Sequence, residues 1–192
     1  VRLFVALDIS ESTRAELRKV QKALEQRLTS ARKPPRVTWV ADDRAHVTLQ
    51  FIGEVMEETA DRVRAALAPP LAHAPYDLVF RGTGIFPNHR RPRVVWIGAI
   101  AGQEQTARVA AEVHRRLDPI VGAGDDRALR PHLTVARVKE ATPFDWEVAL
   151  GSVAAGRTVS RIDHVTLYQS RTSPNGPTYT ALCVTPLEES PN

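Results

Sequence analysis

Three short segments of this chain carry one pattern. His46-Val47-Thr48-Leu49 reappears as His132-Leu133-Thr134-Val135 and again as His164-Val165-Thr166-Leu167. In a strand, residues i and i+2 share a face and lie ~7 Å apart along it. In the first copy Val47, Leu49 and Phe51 form an apolar face for the core, leaving His46, Thr48 and Gln50 on the other side. In the second, Leu133 and Val135 turn inward and His132 and Thr134 turn out. A sheet with one face on a core and one face wet gives this alternation. Two such wet faces across a cleft bring two imidazoles and two hydroxyls to a common point.

That constellation suits acid–base chemistry on a phosphodiester. An imidazole of ordinary pKa, ~6.5, can be protonated in one copy and neutral in its partner near neutrality. One then donates a proton to a leaving oxygen while the other takes a proton from attacking water, each role being worth ~10²–10⁴-fold in rate. Threonine hydroxyls can donate to the non-bridging phosphate oxygens. A single His-x-Thr carries little information, because threonine favours strands and histidine is tolerated on a wet face. The chemistry needs two copies, and alternation alone does not exclude the third: Val165 and Leu167 face inward, and His164, Thr166, Tyr168 and Ser170 face outward.

The elements that position these residues alternate between sheet and helix. Residues 2–9 alternate Leu3, Val5, Leu7 and Ile9 against Arg2, Phe4, Ala6 and Asp8, which predicts a strand. Ser10 is placed to cap a helix carrying Leu17, Val20, Leu24 and Leu28 at helical spacing. A short strand over 37–40 leads to the strand 46–52, which Gly53 ends. A second helix carries Ala60, Val63 and Leu67. Strands over 76–86 and 93–100 flank the basic turn Pro87 to Pro92, and a third helix spans about 103–121. A Gly- and Asp-rich loop from Gly122 to Asp126 precedes the strand at 133–138, and strands near 159–169 and 178–185 close the chain. Intermixed helices and hairpins without regular βαβ alternation argue for α+β with antiparallel sheets.

Composition narrows the classes. With 192 residues, 43% hydrophobic and 25% charged, the chain has material for one globular domain or two small lobes sharing a cleft. The net charge of +4 is compatible with an anionic partner without demanding one. Basic residues gather at Arg32, Lys33 and Arg36 and at Arg90, Arg91 and Arg93, as solvated loops or as contacts to a nucleic-acid backbone. Cys183 is the only cysteine, so no internal disulfide forms. No apolar run approaches the ~18 residues of a membrane helix, and the opening stretch lacks a signal-peptide pattern, so cytoplasmic residence is expected. A zinc site needs three or four ligands, and neither motif strand offers a carboxylate on its histidine face, so no metal and no cofactor is expected. His73, His89 and His114 have no partner at useful spacing. Tyr168 and Phe4, on polar faces by alternation, are the candidate aromatics for stacking a base.

Flanking residues add a resemblance. His46-Val-Thr-Leu-Gln-Phe-Ile-Gly53-Glu54 and Pro131-His132-Leu-Thr134-Val-Ala136-Arg137 resemble the two signatures of the 2H phosphoesterase superfamily. Within it, the chain is similar to the bacterial and archaeal RNA 2′,3′-cyclic phosphodiesterases, the LigT-like or 2′-5′ RNA ligase family. Arg2-Leu-Phe-Val-Ala-Leu-Asp8, Val37-Thr-Trp39-Val, Gly84-Ile-Phe86-Pro87, Arg93-Val-Val-Trp96-Ile-Gly98 and Leu167-Tyr168-Gln-Ser170 extend the likeness to nearly the whole chain.

The resemblance implies a single domain over 1–192, built of two pseudo-symmetric lobes of antiparallel sheet with outer helices flanking a central cleft. It implies hydrolysis of an RNA 2′,3′-cyclic phosphate end to a 2′-phosphomonoester, with His46 as proton donor and His132 as proton acceptor. Thr48 and Thr134 would hold the phosphate, Arg137 would add charge beside it, and His164 would be a bystander. Some members also join RNA ends through a 2′-5′ linkage. The partner implied is RNA, bound by a monomer. Strict alternation, however, puts Arg137 on the core face with Leu133 and Val135, so its role requires a twist or bulge, or a strand end that clears the core. Alternatives are a 2H enzyme acting on a small cyclic nucleotide or a 2′-5′ oligonucleotide, and an RNA-binding module without catalysis.

Overall fold

The computed structural model describes residues 1–123, 129–140, 142–174 and 176–189. Among these described residues the chain forms two antiparallel sheets and four helices, an α+β architecture. The elements run β1 (Arg2–Asp8), α1 (Glu11–Thr29), β2 (Arg36–Trp39), a 3-10 turn (Asp42–Arg44), β3 (His46–Glu54) and α2 (Glu57–Leu67). They continue with β4 (Tyr76–Phe86), β5 (Val94–Ala101), α3 (Gln103–Val121), β6 (His132–Glu140), α4 (Trp146–Ser152), β7 (Thr158–Ile162), β8 (His164–Arg171) and β9 (Thr178–Pro186). The first sheet has the order β3-β1-β8-β9 and the second β2-β6-β5-β4-β7. The Gly- and Asp-rich loop expected from Gly122 lies mostly outside the described residues.

Two helices tie the sheets together by crossing over. α1 leaves β1 of the first sheet, yet packs against β6 and β7 of the second; α3 leaves β5 of the second sheet and reaches β3 of the first. The apolar stripe of α1 (Leu17, Val20, Leu24 and Leu28) is buried as its spacing requires. Ser10 caps that helix by accepting from the Thr13 N–H at 3.3 Å, and its hydroxyl donates to the Val159 carbonyl at 2.8 Å. The capping residue thus also anchors α1 to β7. Midway along the helix, Gln21 Nε2 donates to the carbonyls of Val40 (2.6 Å) and Val135 (3.0 Å). One cluster of buried side chains runs from Leu3 to Leu187 and draws on both sheets. Among the described residues no helix is long and apolar enough to cross a membrane.

Two expected elements differ in the structure, and one helix has no counterpart in the sequence pattern. Gly53 does not end its strand: at φ +82° it carries β3 through an irregularity to Glu54, a backbone region that glycine enters freely. The strand expected near 159–169 is two strands in different sheets. β7 pairs with β4 and β8 with β1, and the chain changes sheets at Asp163, whose carbonyl accepts from the Leu187 N–H at 2.7 Å. The helix α4 gave no periodic signal because it has only seven residues, although Asp145 caps it through the Val148 N–H at 3.0 Å.

Beside the second sheet's motif strand, on β4 and β5, lies a glycine cradle. A Cβ on Gly84 would come within 2.2 Å of the Trp96 ring and one on Gly98 within 2.8 Å, so the indole lies flat against β4 and β5 only because both positions lack side chains. Gly84→Ala should therefore lower stability by about 1–3 kcal/mol through overpacking. Gly151→Ala, in α4 with nothing within 4 Å of the new methyl, should be neutral or gain up to about 1 kcal/mol. Urea unfolding of the two variants beside the parent checks the contrast.

Candidate active site

β3 and β6 belong to different sheets but contact one another, and each begins with the histidine of a His-x-Thr motif. Both are nine residues long with nearly the same sequence of buried and exposed positions. The Nδ1 of His46 donates to the carbonyl oxygen of Arg44 at 2.8 Å, and the Nδ1 of His132 donates to that of Arg130 at 2.7 Å. A carbonyl can only accept, so each bond fixes the proton on Nδ1. Among the described residues neither Nε2 has a hydrogen-bond partner, which leaves it for chemistry, as a lone pair when neutral and as a donor when charged. Thr48 and Thr134 follow two residues on, half-buried beside their histidines.

A bulge then re-aims each strand. Ala6 pairs with Thr48 and Val5 with Gln50, so Leu49 is the extra residue in β3; Trp96 pairs with Thr134 and Val95 with Ala136, so Val135 is the extra residue in β6. Two consecutive residues turn into the core at each place, Leu49 with Gln50 and Val135 with Ala136. The side chain that follows changes face. Arg137 thereby reaches the exposed side with His132 and Thr134, which strict alternation denied it. At the matching place in β3, Phe51 is 69% exposed instead of in the core, and Gln50 is 5% exposed instead of beside His46. Phe51 is the exposed aromatic beside the candidate site that the sequence pattern missed, because a bulge leaves no mark in hydrophobic periodicity.

The surroundings of His46 are aromatic. Phe4 stacks on it with centroids 4.7 Å apart, and Tyr179 meets it edge-on at 5.5 Å. Phe4 is 4% exposed, its ring packed between His46 and Tyr168, so it supports the imidazole and offers no face to a base. Tyr168, half-buried, points its hydroxyl at Asp8 Oδ1 (2.6 Å). On the other strand, Phe86 lies edge-on to His132 at 5.2 Å. Burial pushes the His46 imidazole below its ordinary range; the Arg44 carbonyl and Asp8 oppose this, while the charges of Arg137 and Arg14 add to it. Arg137 acts on His46 from the other sheet, which places the two motif strands within electrostatic reach.

The third copy is built differently. His164 Nδ1 bonds Asp163 Oδ1 at 2.5 Å and Nε2 bonds Asp8 Oδ2 at 3.1 Å. Both nitrogens are engaged, so this imidazole has no free atom for a substrate. Of the two basic clusters, Arg36 pairs with Glu140 at 3.6 Å, and the backbone N–H groups of Arg90 and Arg91 donate to Asn88 Oδ1 at 3.0 Å. The side chains of Arg90 and Arg91 remain exposed on the turn that follows Phe86.

Comparison with known proteins agrees with this architecture. The RNA 2′,3′-cyclic phosphodiesterase of Archaeoglobus fulgidus is 33% identical over 184 residues, covering 96% of this chain and 99% of its own. That of Thermus thermophilus is 33% identical over 190 residues, covering 95% and 88%. Among solved structures, TT0787 of Thermus thermophilus superposes with a TM-score of 0.75 at 28% identity, covering 99% of this chain and all of its own. E. coli LigT complexed with 3′-AMP shares the fold, with a TM-score of 0.70 at 22% identity over 98% of each chain. The 2′-5′ RNA ligase superfamily model matches residues 20–174, and with relatives alike over nearly their full lengths the chain belongs to that superfamily.

Proposed function

We propose that this protein hydrolyses RNA 2′,3′-cyclic phosphate ends to 2′-phosphomonoesters by paired-histidine acid–base catalysis. The single observation that carries the mechanism is the shared tautomer: two imidazoles on facing strands, each with Nδ1 tied to a carbonyl two residues back and Nε2 free. The relatives named RNA 2′,3′-cyclic phosphodiesterases support the substrate class.

The steps follow from the groups present. Neutral His132 takes a proton from water as its oxygen attacks phosphorus. The bond from phosphorus to O3′ breaks, and His46 gives its Nε2 proton to the departing oxygen, leaving a 3′-hydroxyl and a 2′-phosphate. Thr48 and Thr134 donate to the non-bridging oxygens, and Arg137 offsets the charge that develops there. Exchange with solvent returns the proton from His132 to His46. An RNA 5′-hydroxyl in place of water would give a 2′-5′ linkage by the same route. The exposed ring of Phe51 provides a platform for the terminal base, a role that suits it better than Phe4, while Tyr168 remains a candidate at the edge of the aromatic wall. Residues 1–192 act as one two-lobed unit, a monomer resident in the cytoplasm, with RNA as partner and no metal in the chemistry.

His46→Ala or His132→Ala should each reduce turnover of an oligonucleotide ending in a 2′,3′-cyclic phosphate by at least ~10²-fold with folding intact by circular dichroism; retained turnover in either would sink the assignment. Rate should be unchanged in EDTA. Phe51→Ala should raise KM by roughly 5- to 100-fold, the worth of one stacked base, with kcat little altered.

The pH profile has a definite sign. The donor must be protonated, and burial disfavours that state in the free protein. The descending limb of kcat/KM, which reports the free enzyme, should lie below His46's ordinary ~6.5. The limb of kcat should lie higher, because the bound phosphate anion favours the imidazolium. Limbs that coincide at or above pH 7 would contradict the assignment of His46 as donor.

A further inference from the structure

A proton donor whose burial favours the neutral form needs a counter-charge, and the mechanism above leaves the third His-x-Thr copy unused. The two facts meet at Asp8. β1 lies between β3 and β8. Asp8 is the register partner of His46 on one side, and the pairing of Ala6 with Thr166 brings His164 abreast of it on the other. His46, Asp8 and His164 thus form a row across three strands at one end of the first sheet.

Among the described residues, Asp8 is held from β8 alone. His164 Nε2 (3.1 Å) and Thr166 Oγ1 (2.7 Å) donate to Oδ2, and the Tyr168 hydroxyl (2.6 Å) donates to Oδ1. These donors are alternate residues of one strand, so they share a face and close on the carboxylate together. Burial by itself would raise the Asp8 carboxyl. The bonds from His164, Tyr168 and Thr166 outweigh it and hold the group at about 2, while Asp8, against burial and with help from Asp163, carries His164 up to about 9. Asp8 is therefore an anion throughout the range in which the histidine pair would work.

The charges that face His46 come from several elements. β1 supplies Asp8, α1 supplies Arg14 and β6 supplies Arg137. β8 and β9 supply the hydroxyl-bearing rings of Tyr168 and Tyr179, and the His164 cation lies beyond Asp8. The Arg44 guanidinium is turned away to the Pro177 carbonyl at 2.8 Å. Asp8 is the one acid in this group; without it, the Arg44 carbonyl alone opposes burial and two guanidiniums, which disfavour the protonated form.

We propose that Asp8 is a positioning residue for the donor, the counter-charge of the His46 imidazolium, and that the third motif copy on β8 serves as the clamp that keeps this carboxylate ionised and in place. The inference rests on the assignment of His46 as proton donor. A merely structural Asp8 would affect stability and leave the pH profile of catalysis in place, so that profile separates the two roles.

The test is the kcat/KM profile of Asp8→Asn against the parent, on the same cyclic-phosphate oligonucleotide. Removing the anion lowers the proton affinity of His46, so the descending limb should move down by about one pH unit and the rate at neutral pH should fall ~10-fold. KM should change little, and Asp8→Glu should restore most of the limb's position. A uniform loss of rate with the limb unmoved would overturn the proposal. Should Asp8→Asn fail to fold because the His164 cation loses this partner, the double variant Asp8→Asn/His164→Gln removes both charges: the anion abreast of His46 is the nearer of the two, so the limb should still move down, and an unmoved limb again overturns the proposal. His46→Ala separates the two levels. If that variant turns over, the donor assignment has failed; if it is inactive while the Asp8→Asn limb stays in place, only the role of Asp8 has failed.

Discussion

The site depends on a hydrogen bond that each motif histidine makes within its own chain segment, from Nδ1 to the carbonyl two residues back. Neutral imidazole exists in two tautomers, and only one presents a basic Nε2 lone pair. Tying Nδ1–H to a carbonyl selects that tautomer before substrate arrives and fixes the ring's direction. Both histidines are the first residues of their strands, and the carbonyl of Arg44 or Arg130, two residues back, accepts from the ring. His164 also begins a strand, but Asp163 and Asp8 take up its nitrogens, and the same sequence motif becomes a support for a carboxylate. Chemistry here is decided by what the second nitrogen of each ring meets.

The second constraint is the bulge, repeated at the same step of both motif strands. A regular strand would put only the histidine, the threonine and the residue two further on toward the cleft. One extra residue sends two consecutive side chains into the core and brings the next to the open face. Arg137 and Phe51 occupy matching places by this device, one supplying charge and the other an aromatic surface. The pseudo-symmetry therefore extends to backbone irregularities, while the side chains at the end of each copy differ in chemistry.

Much of this was legible in the chain and some was not. The apolar stripe of α1, the Ser10 cap and the alternation of Val47 and Leu49 with His46 and Thr48 all report local geometry, and the structure places them as read. The direction of Arg137 was legible only as a conflict between pattern and resemblance, which the bulge resolves. Phe51, Gln50 and Phe4 were misplaced because periodicity assumes regular strands and one covered face. Phe4 sits in a central strand whose second face is roofed by His46, Tyr168 and Tyr179, residues far apart in sequence. The division between β7 and β8 was invisible for a similar reason, since a strand that changes sheets keeps its composition while changing its partners.

The central claim is that His46 Nε2 and His132 Nε2 address one phosphorus from opposite sides. A crystal structure with a bound nucleoside 2′-monophosphate, the product class of the proposed reaction, tests it most directly. Both Nε2 atoms are expected within ~3 Å of oxygens on the same phosphate, with Thr48 and Thr134 on its other oxygens. A phosphate held by one histidine alone, or seated away from both, would contradict the account.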